Sequence, residues 1–371
     1  MLFHLLYWMR RFRGLGWLNV VRYASSRTIA STLTAMLISF LFGPWFIRRL
    51  QSRQIGQTIR EDGPQSHLAK AGTPTMGGSL ILVALIVPTI FWCDLQNKLV
   101  WLVVSVTVGF GAIGFLDDAL KLRFKNSRGL SAKLKMLGQI VIAAGASFFV
   151  FYGNVLPPKI QLRLAMPFVN FDRHPLSLPR LVYFIFSLIV VVGSSNAVNL
   201  TDGLDGLAIG PVIISSGAFL ILSYASGTVL GKFNIAKYLN IPHVTGASEL
   251  AIFCAAMVGS GIGFLWYNTY PASVFMGDVG SLSLGAGLGM IALLTKNEFV
   301  WVLLGGVFVL EAVSVIVQVF SFKLTGKRVF KMAPIHHHFE LKGLAEPKVI
   351  VRFWIISIML ALLALATLKL R

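Results

Sequence analysis

Apolar residues in this chain fall in long, nearly unbroken runs, not in the alternation of a half-buried strand or the one-sided stripe of a soluble helix. About 20 such residues carry a helix across a hydrocarbon core. Runs of that order lie at 28–48, 75–93, 99–117, 134–152, 180–199, 206–224, 248–268, 279–295, 299–322 and 350–370. The pattern predicts an all-α, polytopic integral membrane protein with about ten transmembrane helices, organised as a single membrane domain over 1–371. Between the fifth and sixth runs, and between the seventh and eighth, the breaks are short and hold Asp and Gly. The longest connections, 49–74, 153–179, 225–247 and 323–349, read as loops or hairpins.

Composition sharpens this picture: 56% of residues are hydrophobic and 13% charged, with a mean hydropathy of +0.76, where a soluble domain carries about 25% charged residues. Cys93 and Cys254 both lie in apolar runs, which predicts buried thiols and no disulfide framework. The first 27 residues read as a retained interfacial segment, because Arg10, Arg11 and Arg13 follow the apolar stretch Leu2–Met9 instead of preceding it as in a cleaved signal. The net charge of +19 suits anionic membrane lipids and phosphate-bearing substrates. With ten spans, the loops after helices one, three, five, seven and nine share a face; between residues 48 and 349 it carries 17 Lys and Arg against 8 on the other. The positive-inside rule makes the richer face cytoplasmic. Five arginines in the N-terminal tail, with Lys369 and Arg371 at the other end, narrow that contrast.

Charge of the other sign marks the chemistry. Of eight aspartates, Asp117, Asp118, Asp202, Asp205 and Asp278 sit at or beside the ends of predicted helices, all on the basic face. A carboxylate at membrane depth costs roughly 2.5–3.5 kcal/mol at a helix centre and less toward the ends, so such residues usually line a polar site. Asp117 and Asp118 are adjacent and followed by Lys121, Lys125, Arg128, Lys133 and Lys135, a set suited to metal or phosphate. Asn199 to Gly206 places Asp202 and Asp205 three apart, on one side if the segment is helical, with glycines flanking Asp205. Asp278 opens the eighth helix, as a metal ligand or as an N-cap. His336, His337 and His338 are consecutive; neighbours in sequence rarely face one metal, so donors to phosphate, sugar or base are the better reading than zinc. Gly109, Gly111 and Gly114 match a dinucleotide-binding pattern, but lie inside an apolar run and predict close helix packing.

The stretch Lys70 to Gly78, Asp117-Asp118, Asn199 to Gly206, Phe275 to Ser281 and Ala333 to Glu340 together resemble the polyprenyl-phosphate N-acetylhexosamine-1-phosphate transferase superfamily. Within it, the histidine stretch is similar to the branch that uses UDP-N-acetylmuramoyl-pentapeptide. The resemblance implies transfer of phospho-N-acetylmuramoyl-pentapeptide to undecaprenyl phosphate, giving lipid I and UMP in peptidoglycan synthesis. It also implies Mg²⁺, a homodimer in the inner membrane, a cytoplasmic active site, periplasmic termini and no nucleic-acid partner. By the same resemblance Asp278 is the Mg²⁺ ligand and Asp117 and Asp118 are catalytic. Lys70, Thr75, Lys121, Lys125, Lys135, Asn199, Asp202, Asp205, Phe275, His336, His337 and His338 would bind substrate. Two alternatives stand beside it: a transferase of UDP-N-acetylglucosamine type, and an ion-coupled transporter. The second fits less well, since transporters hold their carboxylates near the midplane and these gather at helix ends.

Overall fold

The fold follows from a computed structural model that describes residues 1–12, 14–52, 72–124, 129–171, 173 and 176–370. Lys70 and Lys125 lie outside the described residues. The chain is helical almost throughout: α1 (Leu2–Met9), a 3-10 turn (Gly16–Arg22), α2 (Ala24–Ser52), α3 (Gly78–Trp92), α4 (Lys98–Phe124), α5 (Ala132–Tyr152) and α6 (Pro158–Gln161) come first. They are followed by α7 (Arg180–Thr201), α8 (Ile209–Gly227), α9 (Ile235–Tyr238), α10 (Ala247–Asn268) and α11 (Gly277–Leu294). Last come α12 (Glu298–Leu304), α13 (Gly306–Thr325), α14 (Ile335–Glu340) and α15 (Glu346–Ala366). Two antiparallel hairpins, Arg163–Leu164 with Leu176–Ser177 and Val229–Leu230 with Phe233–Asn234, account for the strands among the described residues.

Nine of the described helices are long and apolar enough to cross a membrane, and α3, at 15 residues, is a tenth, shorter apolar helix. The protein is a multi-pass, all-α membrane protein. Three predicted runs differ in detail. The third, read as ending at 117, continues as α4 to Phe124, so Asp117 and Asp118 lie within the helix and not at its end. The second run loses residues 75–77, which leave the helix to pair with the chain before α11: Phe275 N–H donates to Pro74 O (2.8 Å), Gly77 N–H to Phe275 O (2.9 Å) and Gly78 N–H to Met276 O (2.8 Å). The ninth run breaks at Gly305 into α12 and α13.

Helix α11 is the centre of the bundle. Every residue from Val279 to Leu294 is buried, and α4 and α7 pack on it from two sides while α10 joins α2 and α8. Such contact requires small residues, which let helix backbones approach. A Cβ on Gly114 of α4 would lie 2.3 Å from Asp278 O, one on Gly285 2.6 Å from Ser194 O, and one on Gly78 2.1 Å from Gly280 N. Gly114, part of the dinucleotide-like pattern, is therefore a packing glycine. Cys93 and Cys254 are buried and free, as the sequence predicts. Large exposed apolar residues such as Leu41, Phe149, Ile316, Phe320 and Leu362 cover the outer helices α2, α5, α13 and α15, where lipid replaces water as the neighbour.

The connections sort to two ends. At one, the N-terminal amine donates to Ile90 O (2.7 Å), Asn97 Nδ2 to Gly246 O (2.8 Å), Lys98 Nζ to Gly153 O (3.2 Å), Lys296 Nζ to Gln161 O (3.3 Å) and Lys369 Nζ to Tyr238 Oη (2.9 Å). Both ends of the described chain thus gather with the loops that follow α3, α5, α8 and α11. The opposite end holds the acidic residues.

Candidate active site

Asp117 and Asp118, each buried, lie inside α4, about two turns before its end at Phe124. Adjacent positions on a helix point about 100° apart, so the two carboxylates serve different neighbours. Asp118 Oδ2 accepts from the backbone N–H groups of Asp278 (3.0 Å) and Val279 (3.4 Å), satisfying two orphan donors at the start of α11. This answers the capping question: a carboxylate from α4 takes the N-terminus of α11, and the Asp278 side chain is left for other work. Asp117 Oδ1 accepts from Leu130 N–H (2.8 Å), which ties down the connection to α5.

Asp278 turns its carboxylate toward Asp117. Its Oδ2 pairs with Lys121 Nζ (2.9 Å) and Lys135 Nζ (2.7 Å), and its Oδ1 accepts from Asn199 Nδ2 (2.8 Å). Lys121 Nζ also reaches Asp117 Oδ2 at 2.5 Å and Asp118 Oδ1 at 3.4 Å. One ligand oxygen from each of Asp117, Asp118 and Asp278 falls within 4.8 Å of the others, the only such convergence of His, Cys, Asp or Glu among the described residues. Three carboxylates against two ammonium groups leave a net negative, all-oxygen donor set. That set fits a hard divalent cation.

The remaining predicted residues divide by position. Asn199, on the last turn of α7, donates to both Asp278 and Ser281 Oγ, each at 2.8 Å. Asp202 caps the C-terminus of α7 beside the triad. Burial, then the like charges of Asp278, Asp118 and Asp205, push its carboxyl well above the usual range, against a hydrogen bond from the Gly277 backbone. Thr75 is buried, and its hydroxyl crowds Gly277 along with Asp118 Oδ2: a Cβ there would lie 2.9 Å and 2.7 Å from them. Gly277 has φ +71°, a second reason for glycine at that position. Phe275 enters through its backbone pairing with Pro74 and Gly77.

Asp202 and Asp205 do not share a helical face, because α7 ends at Thr201; the chain turns on at Gly206, with φ +78°. Asp205 Oδ2 accepts from Ala272 N–H (3.0 Å) and its N–H donates to Glu346 (3.1 Å), so it braces the turn away from the triad. The three histidines lie on the short helix α14 and also diverge. His336 is buried against Gly203, with Nδ1 3.1 Å from Glu311 Oε2. His337 Nδ1 lies 2.7 Å from Glu340 Oε2, and His338 Nδ1 accepts from Lys331 N–H at 3.1 Å. Sequence reading passed over Glu311 and Glu346, and took in Ser281 only as the end of the Phe275 to Ser281 stretch. Glu311 carried a usable signal, a lone carboxylate inside an apolar run; Glu346, just before Pro347 at the start of α15, carried none.

The arrangement can bind a divalent cation and hold phosphate oxygens beside it with two lysines. The sequence model of Glycosyl transferase family 4 matches residues 100–296, the span from α4 through α11. The chain is similar over its whole length to proteins named phospho-N-acetylmuramoyl-pentapeptide-transferase, each also covered in full. It is 57% identical to that of Sorangium cellulosum (strain So ce56), 55% to that of Desulfatibacillum aliphaticivorans and 54% to that of Geobacter sp. (strain M21).

Proposed function

The chain belongs to the phospho-N-acetylmuramoyl-pentapeptide-transferase family, within Glycosyl transferase family 4, and from that premise we propose that it transfers phospho-N-acetylmuramoyl-pentapeptide from its UDP-linked donor to undecaprenyl phosphate, releasing UMP and forming lipid I. The observation that carries this reading is the convergence of Asp117, Asp118 and Asp278 with Lys121 and Lys135 at one end of an otherwise apolar bundle. A nucleotide-using enzyme built almost entirely within the membrane suits an acceptor that is itself a lipid.

In the reaction an oxygen of the lipid phosphate attacks the β-phosphorus of the donor. The bond from that phosphorus to the bridging oxygen breaks, and UMP departs with the electron pair. Both reactants are anions, so charge neutralisation and in-line positioning dominate the barrier. Asp278, with Asp117 and Asp118 within reach, would hold Mg²⁺, which would supply Lewis-acid neutralisation of phosphate oxygens. Lys121 and Lys135 hold phosphate oxygens at the same place. Asp117 orients the acceptor phosphate or takes its proton, while Asp118 fixes the relation of α4 to α11. Asn199, Thr75, Asp202 and Phe275 surround the donor's pyrophosphate and uridine end, and the family resemblance assigns Lys70, Lys125 and the histidines to donor binding as well. The basic end faces the cytoplasm of a bacterial inner membrane, both termini face the periplasm, and the enzyme acts as a homodimer.

Purified protein given UDP-N-acetylmuramoyl-pentapeptide, undecaprenyl phosphate and Mg²⁺ should release UMP in equal amount to the lipid product formed. Turnover of UDP-N-acetylglucosamine in place of that donor would reassign the substrate. UMP released without the acceptor would point to hydrolysis instead of transfer.

A further inference from the structure

One buried ionisable pair has no part in the reaction so far. Glu311 lies within α13, fully buried among apolar neighbours in the span. His336 of α14 is buried too and presents Nδ1 3.1 Å from Glu311 Oε2. The contact is an ion-pair distance only: neither oxygen of Glu311 and neither ring nitrogen of His336 has a hydrogen-bonding partner among the described residues. Buried polar atoms in native proteins are nearly always satisfied, so a pair left to itself calls for a reason beyond stability.

The far edge of the imidazole supplies one. It abuts Gly203, where a Cβ would lie 2.3 Å from Nε2 and 2.8 Å from Cε1. Gly203 follows Asp202, and the rest of that turn is gripped from its other side: Asp205 N–H by Glu346 (3.1 Å), Gly206 N–H by Asn268 Oδ1 (3.0 Å) and Gly206 O by Trp354 Nε1 (3.2 Å). His336 touches the residue next to Asp202, and Glu311 lies on the other side of the ring, 3.1 Å from Nδ1. Three segments distant in sequence meet at this point without touching the triad.

We propose that Glu311 is a positioning residue for donor binding: it holds the His336 ring edge-on against Gly203, and the ring fixes the turn bearing Asp202 in the place the donor requires. The proposal rests on the reading that residues 199–206 line the donor pocket. Glu311 lies in the second turn of α13, past the first-turn N–H groups that a cap serves, and its burial rules out a lipid-facing role.

Steady-state kinetics of the full-length enzyme in detergent, with both substrates varied, test it. Glu311→Gln keeps the shape and removes the carboxylate; KM for UDP-N-acetylmuramoyl-pentapeptide should rise about tenfold, the order expected for a displaced positioning group. The value of kcat should fall less and KM for undecaprenyl phosphate should hold. Glu311→Asp should recover part of the donor affinity. Gly203→Ala, acting from the opposite side of the ring, should give the same split, and its combination with Glu311→Gln should be less than additive. If Glu311→Gln does not fold, Gly203→Ala and Glu311→Asp carry the comparison. A lower melting temperature with both KM values unchanged, or an equal rise in both, overturns the proposal while wild-type turnover stands. Failure of the wild type to turn over this donor overturns the pocket reading itself.

Discussion

Asp278 is the residue on which the site depends, because it contacts both lysines and Asn199 and lies opposite Asp117. Asp278→Asn keeps the volume and removes the charge. Turnover should fall to below about a tenth of wild type, on the scale of losing one preorganised electrostatic contact, while the melting temperature stays close to wild type. Asp117 faces a different test, since direct attack by the acceptor competes with a route in which an aspartate first takes the phospho-sugar covalently. We favour direct attack, because the lipid phosphate is already a competent nucleophile and a carboxylate bound to a cation is a poor one. Asp117→Asn should then slow turnover while donor binding persists. With all lipid acceptor removed, labelled UMP should not exchange into the donor; exchange abolished by Asp117→Asn or Asp118→Asn would establish the covalent route.

At the scale of the element, the site is a product of helix approach. Gly114 lets α4 lie against the first turn of α11, and Asp118 closes that contact by accepting from its backbone. Gly114→Ala puts a methyl 2.3 Å from Asp278 O and forces the helices apart. Overpacking of this kind costs about 1–3 kcal/mol; the thermal midpoint should fall and the Mg²⁺ concentration for half activity should rise, whereas Gly145→Ala, with open space around it, should change neither. Long apolar runs made the ten helices legible in the sequence, since span length is set by the bilayer and not by tertiary contacts. The acidic stretches were legible because carboxylates are rare at membrane depth. What sequence spacing did not carry was direction: Asp202 and Asp205 diverge because α7 ends at Thr201, ahead of both, and His336, His337 and His338 diverge because a helical turn spreads consecutive residues. Glu311 and Glu346 matter through contacts with residues 25 and more positions away, which one sequence does not display.

For the whole molecule, the distribution of loops makes a topological claim. Lys331 is exposed at the end that holds the aspartates and Lys232 at the end that holds the termini, and both native cysteines are buried. A membrane-impermeant maleimide applied to spheroplasts should therefore label Lys232→Cys, and should label Lys331→Cys only after permeabilisation. The reverse pattern would invert the orientation. The central claim is that Asp117, Asp118 and Asp278 form a divalent-cation centre for phosphoryl transfer. Its most direct test is Mn²⁺ binding followed by electron paramagnetic resonance on the purified enzyme, alongside turnover restored to chelated protein by Mg²⁺. The account predicts a bound Mn²⁺ signal in the wild type, displaced by Mg²⁺ and lost in Asp278→Asn together with activity. Full turnover in the presence of chelator, or unchanged Mn²⁺ binding in an inactive Asp278→Asn, would contradict it.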